Sequence, residues 1–210
     1  MRAQFATLLL ASAFGAGAAQ SELAFDIYLD DRPVGVHRVQ IQQDADQRRV
    51  SVEAEMSIDI LFFNAFSYRH QADEVWHGDC IANLKTRTDD DGERYRVDAS
   101  RVADDLLVTV ADRQVRIGGC VRTFAYWNPR LLEHDFLLNT QTGDYEPARL
   151  VEVAEQPLQF QGRAYGDRQY RLDVGQGVRI DLWYDAGCSW QALQTQVENG
   201  RVLRYVRREG

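Results

Sequence analysis

Residues 50–60 read Val-Ser-Val-Glu-Ala-Glu-Met-Ser-Ile-Asp-Ile. Val50, Val52, Ala54, Met56, Ile58 and Ile60 alternate strictly with Ser51, Glu53, Glu55, Ser57 and Asp59. A period of two places one set of side chains against a core and the other in water, the pattern of a half-buried antiparallel strand. The same period recurs on both sides. Ala24–Tyr28 and Val36–Ile41 flank the turn Asp30-Asp31-Arg32-Pro33. Phe66–Trp76, Cys80–Thr88, Tyr95–Val102, Leu106–Ala111 and Gln114–Ile117 follow, separated by Gly- or Asp-bearing connectors that accept turn geometry. Late runs are Leu150–Val153, Gln156–Phe160, Gln169–Leu172, Val178–Tyr184, Trp190–Gln196 and Arg201–Val206.

One segment departs from this period. Pro129 to Leu138 follows Asn128 with apolar residues at helical spacing, which predicts a short helix over 129–138 capped by Asn128. The fold class is therefore mostly all-β: a single long antiparallel meander curled into a half-barrel or barrel, with one short helix. Closing or curling such a sheet manages its edges and makes a cavity for one small molecule natural.

Residues 1–19 have a composition of their own. Met1-Arg2, an apolar run from Phe5 to Phe14 and the small residues Gly15 to Ala19 describe a cleaved secretory signal, with one β-rich domain over 20–210. No later run approaches the ~20 apolar residues of a membrane-spanning helix. The expected location is the periplasm or the medium. Acidic residues number 32 against 24 basic ones, a net charge of −8, which argues against a nucleic-acid partner. Lys85 is the only lysine, so Schiff-base chemistry has a single candidate.

In an oxidising compartment Cys80, Cys120 and Cys188 allow one bridge. Cys80 and Cys120 each open a strand-like run after a Gly-containing turn, which favours their pairing over the other two and leaves Cys188 unpaired at a turn.

Chemistry-bearing clusters are few. His70, Asp73, Glu74 and His77 would share a helix face, but the second Glu-x-x-His of a di-metal site is missing, so no metal is assigned. Read as a strand, Tyr68, His70, Glu74 and Trp76 share one face, and His70 with Glu74 forms a polar pair in or beside a cavity. Phe124, Tyr126, Trp127 and Trp183 add large aromatics at strand ends, where ligand pockets are often lined, although core packing is their commoner fate. These eight residues are the candidate ligand-binding set. The chain lacks Gly-x-Ser-x-Gly and Cys-x-x-Cys, so no catalytic residue and no cofactor are assigned.

Several strings, among them Glu74-Val75-Trp76, Ala125-Tyr126-Trp127-Asn128-Pro129 and Asp181-Leu182-Trp183-Tyr184-Asp185, resemble an uncharacterised family of exported bacterial domain-of-unknown-function proteins. The resemblance spans nearly all of the expected mature chain. It implies a periplasmic location and a Cys80–Cys120 bridge, with Cys188 a departure from the family pattern. In architecture alone the chain is similar to curved-sheet lipoprotein carriers, an analogy that transfers no function. The leading expectation is a non-catalytic carrier of a small apolar or amphipathic ligand such as a lipid. An envelope hydrolase built on His70 and Glu74, or a structural interaction module of the envelope, are the alternatives. The sequence leaves the oligomeric state open.

Overall fold

The computed structural model describes residues 19–60, 63–133, 135–175 and 177–209. The expected leader lies outside these, apart from Ala19. The first half is an antiparallel meander: β1 (Ala19–Leu29), β2 (Arg32–Asp44), β3 (Gln47–Ile60), β4 (Phe63–His77), β5 (Cys80–Asp90), β6 (Glu93–Val102), β7 (Asp105–Val110) and β8 (Arg113–Gly118). Its connectors are tight. Asp30, Ala45, Asp91, Ala103 and Ala111 take positive φ, the conformation of turns whose twist matches that of the flanking strands.

The second half comprises β9 (Phe136–Leu138), β10 (Tyr145–Ala154), β13 (Arg168–Val174), β14 (Val178–Tyr184), β15 (Trp190–Gln196) and β16 (Val202–Arg207). Between β10 and β13 a separate hairpin forms from β11 (Leu158–Phe160) and β12 (Arg163–Tyr165). The large curved sheet has 14 strands in the order β8-β7-β6-β5-β4-β3-β2-β1-β16-β15-β14-β13-β10-β9. It is not closed; β8 and β9 are its two edges. It differs from one simple meander at the β1–β16 seam, where Phe25 opposes Arg207 and Leu29 opposes Leu203.

The helix expected over 129–138 does not form. Pro129–Glu133 is a 3-10 turn, in which Leu131 N donates to Asn128 O (3.0 Å) and Arg130 N to Asn128 Oδ1 (3.2 Å). Beyond it the backbone is claimed from outside: Leu138 N donates to Arg122 O and Asp135 O accepts from Ala148 N, both at 2.8 Å. Leu137 and Leu138 are both fully buried because they face opposite ways, each into a different core. Two adjacent leucines buried on opposite faces of a strand also fit the seven-residue helical repeat that runs from Leu131 to Leu138.

Cys120–Phe124, read as a strand-like run, is likewise outside the antiparallel ladder. After β8 the chain turns back as a crossing segment over the inner face. Cys80 and Cys120 form a disulfide with Cα atoms 5.0 Å apart, and Ile81 N donates to Val121 O (2.9 Å). Thr123 forms a parallel bridge with Leu138, so this segment links β5 to the β9 edge. Asp79 anchors the same corner, with Arg48 at 2.9 Å and Arg130 at 3.2 Å.

Two inner cores result. One, under β2–β8, is centred on Trp76, Ile81, Leu84 and Leu106; the other, under β1, β10 and β13–β15, on Phe25, Leu182 and Trp190. On the opposite face the β11–β12 hairpin covers Trp183, Ala192 and Val206.

Candidate functional site

Where the two inner cores meet they leave a cavity of about 300 Å³. β2 supplies His37 and Val39, β3 Val52 and Ala54, and β4 Tyr68, His70, Ala72 and Glu74. The crossing segment supplies Thr123 to Trp127, and β13 to β16 supply Val174, Ile180, Trp190 and Tyr205. The β9–β10 turn enters from one side, held by Thr86 Oγ1 donating to Thr140 O (2.8 Å) and Tyr68 OH donating to Gln141 Oε1 (3.1 Å). Gly143 lets that turn approach. Its φ is +74°, and a Cβ there would stand 2.3 Å from Val110 Cγ2.

The β4 strand presents Tyr68, His70, Ala72, Glu74 and Trp76 to the same side because successive side chains alternate. On the outer face of these strands Glu53, Asp73, Lys85, Arg87, Arg96 and Asp98 form a charged, solvated surface. His70 and Glu74 both line the cavity without touching: four residues of strand separate their Cα atoms by about 13 Å. Each has its own partner. His70 Nδ1 lies 2.7 Å from Thr88 Oγ1 on the neighbouring strand, and Trp76 Nε1 donates to Glu74 Oε2 (2.7 Å). This is not a nucleophile–base arrangement, which needs direct hydrogen-bond contact.

Burial sets the electrostatics. His70 is pushed down to about 4 by desolvation of its charged form. His37, against the rings of Phe25, Trp190 and Tyr205, is pushed down to about 3 by burial, with His70 adding repulsion. Both imidazoles are therefore neutral at pH 7. Glu74, only 5% exposed, is raised to about 7 by burial, which its bond from Trp76 partly offsets. Burial also raises Tyr68 and Tyr126 well above the ordinary tyrosine value.

Six of the eight candidate residues, Tyr68, His70, Glu74, Phe124, Tyr126 and Trp127, line the cavity. Trp76 stands behind them, fully buried, its ring edge-on to Trp127 at 5.4 Å. Trp183 belongs to the opposite face, under the β11–β12 hairpin. His37, Trp190 and Tyr205 were missed in the sequence. The signal for His37 is its phase: His37, Val39 and Ile41 occupy one face of β2. Trp190, whose ring lies 4.0 Å from Phe25 and 5.4 Å from Tyr126, sits one residue past a turn and carries no comparable signal.

Two cavity residues carry polar atoms without a partner. Thr123 Oγ1 and Trp127 Nε1 are buried and accept or donate no hydrogen bond among the described residues. Sealed polar atoms of this kind cost roughly 1–3 kcal/mol each. Among the described residues no group of three or more His, Cys, Asp or Glu could hold a metal ion. Nor is any helix there long and apolar enough to cross a membrane, which says nothing of strands.

Among known proteins, the family model described as a domain of unknown function, DUF6134, matches residues 25–208. No curated protein matches the sequence. The chain is similar to the crystal structure of a beta-barrel-like protein of domain of unknown function DUF1849 from Brucella abortus, with a TM-score of 0.65 and 11% sequence identity. That match covers 92% of this chain and 97% of the other. At such identity the likeness concerns the fold alone.

Proposed function

From the premise that the chain belongs to the DUF6134 domain family, which brings no reaction with it, we propose an exported, non-catalytic binding or carrier protein for one small apolar or amphipathic molecule. The observation that carries this reading is the 300 Å³ cavity, walled mostly by aromatic and aliphatic side chains, with a few polar ones, among them His37, His70 and Glu74. That is the composition of a small-molecule site: a mostly apolar surface with a few polar groups to fix orientation. The volume lies at the lower end of the usual range, about 300–1,000 Å³, and suits a single-chain amphiphile better than a two-chain lipid. Export is supported by the leader-like residues 1–19 and by the Cys80–Cys120 bridge, which persists in oxidising compartments.

The test is native mass spectrometry of the full chain purified from its host, beside the Ala72→Leu variant, which fills part of the cavity. A small-molecule adduct present on the parent and absent from the variant is the expected result. A parent protein without adduct, whose tryptophan fluorescence also ignores a panel of apolar and amphipathic probes, would refute the carrier reading.

A further inference from the structure

The charge of the cavity wall narrows the ligand class, an inference that rests on the carrier reading. Two carboxylates, Glu74 and Glu146, line the cavity, and no lysine or arginine does. Glu146 accepts from Asn139 Nδ2 through Oε1 (2.9 Å). Glu74 uses one oxygen for Trp76, and its Oε1 has no partner among the described residues. An ionised carboxylate so placed is an uncompensated buried charge, which an opposite charge stabilises and a like charge does not. The same cavity is lined by the rings of Tyr68, Tyr126, Trp127, Trp190 and Tyr205, and ring faces attract cations; Arg48 already lies 5.2 Å from the Trp127 ring centroid. We propose that the cavity selects an organic cation, a protonated amine or quaternary ammonium bearing an apolar body, and that Glu74 is its counter-ion.

Anionic amphiphiles fit poorly. Nothing cationic faces them: His37 and His70 are the cavity's other titratable nitrogens, and burial holds both neutral. The cavity's remaining titratable groups are Tyr68, Tyr126, Tyr205 and Glu146, and the tyrosines stay protonated.

The experiment is calorimetric titration of the full chain, freed of any co-purified molecule, with four probes built on a six-carbon chain: hexyltrimethylammonium, hexylammonium, 1-hexanol and hexanoate. At pH 8 the two cations are expected to bind about tenfold or more tightly than hexanol, and hexanoate more weakly still. Glu74→Gln keeps the acceptor for Trp76 and should abolish the preference for cation over alcohol. Hexyltrimethylammonium, whose charge is permanent, should bind the parent more tightly at pH 8.5 than at pH 5.5 and the variant equally at both. Hexanol or hexanoate binding as tightly as the cations would overturn the charge assignment and leave the carrier reading standing. A cation preference that survives Glu74→Gln would overturn the role of Glu74. Failure of all four probes to bind would remove the carrier reading as well.

Discussion

Glu74→Gln changes one titration and little else, because the amide oxygen still accepts from Trp76 Nε1. In the folded chain burial raises the carboxyl from 4.5 to about 7. Between those values the folded state holds a proton that the unfolded chain has released. Stability therefore falls as pH rises through that window, and the loss is complete above pH 7. A difference of 2.5 units corresponds to about 3 kcal/mol at 1.36 kcal/mol per unit. His37 and His70 act in the opposite sense. They are held neutral while the unfolded chain protonates below its ordinary histidine pKa, so both weaken the fold as pH falls. Because the parent and the variant share that contribution, their difference isolates Glu74. Urea denaturation at matched ionic strength, at half-unit steps from pH 4.5 to 8.5, should show Glu74→Gln gaining about 3 kcal/mol on the parent across the range. With m values of about 1–3 kcal/mol per molar, the midpoints separate by about 1 M or more. A difference constant to within about 0.5 kcal/mol, close to the scatter of such measurements, would show that Glu74 is not buried as described.

Replacing both Cys80 and Cys120 by Ala releases a bridge between residues 40 apart and should cost about 4 kcal/mol on the chain-entropy model, lowering the calorimetric Tm by about 8–16 °C. A drop of under 2 °C would deny the bridge that role. Gly143→Ala should destabilise by about 2–4 kcal/mol in chemical denaturation, combining a positive φ with contact on Val110. Adding Val110→Ala should recover only the contact part, and full recovery would show that φ is not a constraint. Thr88→Val deprives His70 Nδ1 of its partner and should cost about 1–3 kcal/mol, with the histidine proton resonances shifted; unchanged stability would mean that water replaces the hydroxyl at no cost. Cys188 is free and exposed, so thiol titration of the native chain should give one group per molecule, and three would exclude the bridge.

The sheet was legible wherever one face is wet. Val50–Ile58 and Tyr68–Trp76 alternate because their outer residues meet water, so phase alone identified the cavity-facing side of β4. Legibility failed where both faces are covered. In β14 the residues Leu182, Trp183 and Tyr184 are all buried, Leu182 and Tyr184 in an inner core and Trp183 beneath the β11–β12 hairpin. A run apolar on both sides carries no phase, so nothing in the sequence separated Trp183 from the aromatics that line the cavity. The three-residue β9 failed for another reason. Besides pairing with β10 just past the next turn, it is held by Arg122, upstream of the 3-10 turn, and no local pattern announces a partner at that range. The part of the site on β13–β16, Val174, Val178, Ile180, Trp190 and Tyr205, was invisible for the same reason: the register that brings Trp190 and Tyr205 opposite His37 exists only once β16 lies beside β1.

That seam imposes an order of events on the chain. Asp26 and Arg208, ion-paired beside it, are 182 residues apart in sequence, so the middle of the finished sheet is among the last parts to be synthesised. Each half can zip up by local hairpins, but joining them closes a loop of nearly the whole chain, a slow step in any β-rich topology. Until β16 arrives, β1 has a bare edge of unpaired N–H and C=O groups, the kind of edge that recruits strands from other molecules. An exported chain threaded N-terminus first would expose that edge throughout its passage. A holdase that caps β1 during translocation, or a delay in collapse of the first half, would protect against misassembly, and the cavity is walled on all its strands only after the last strand has docked.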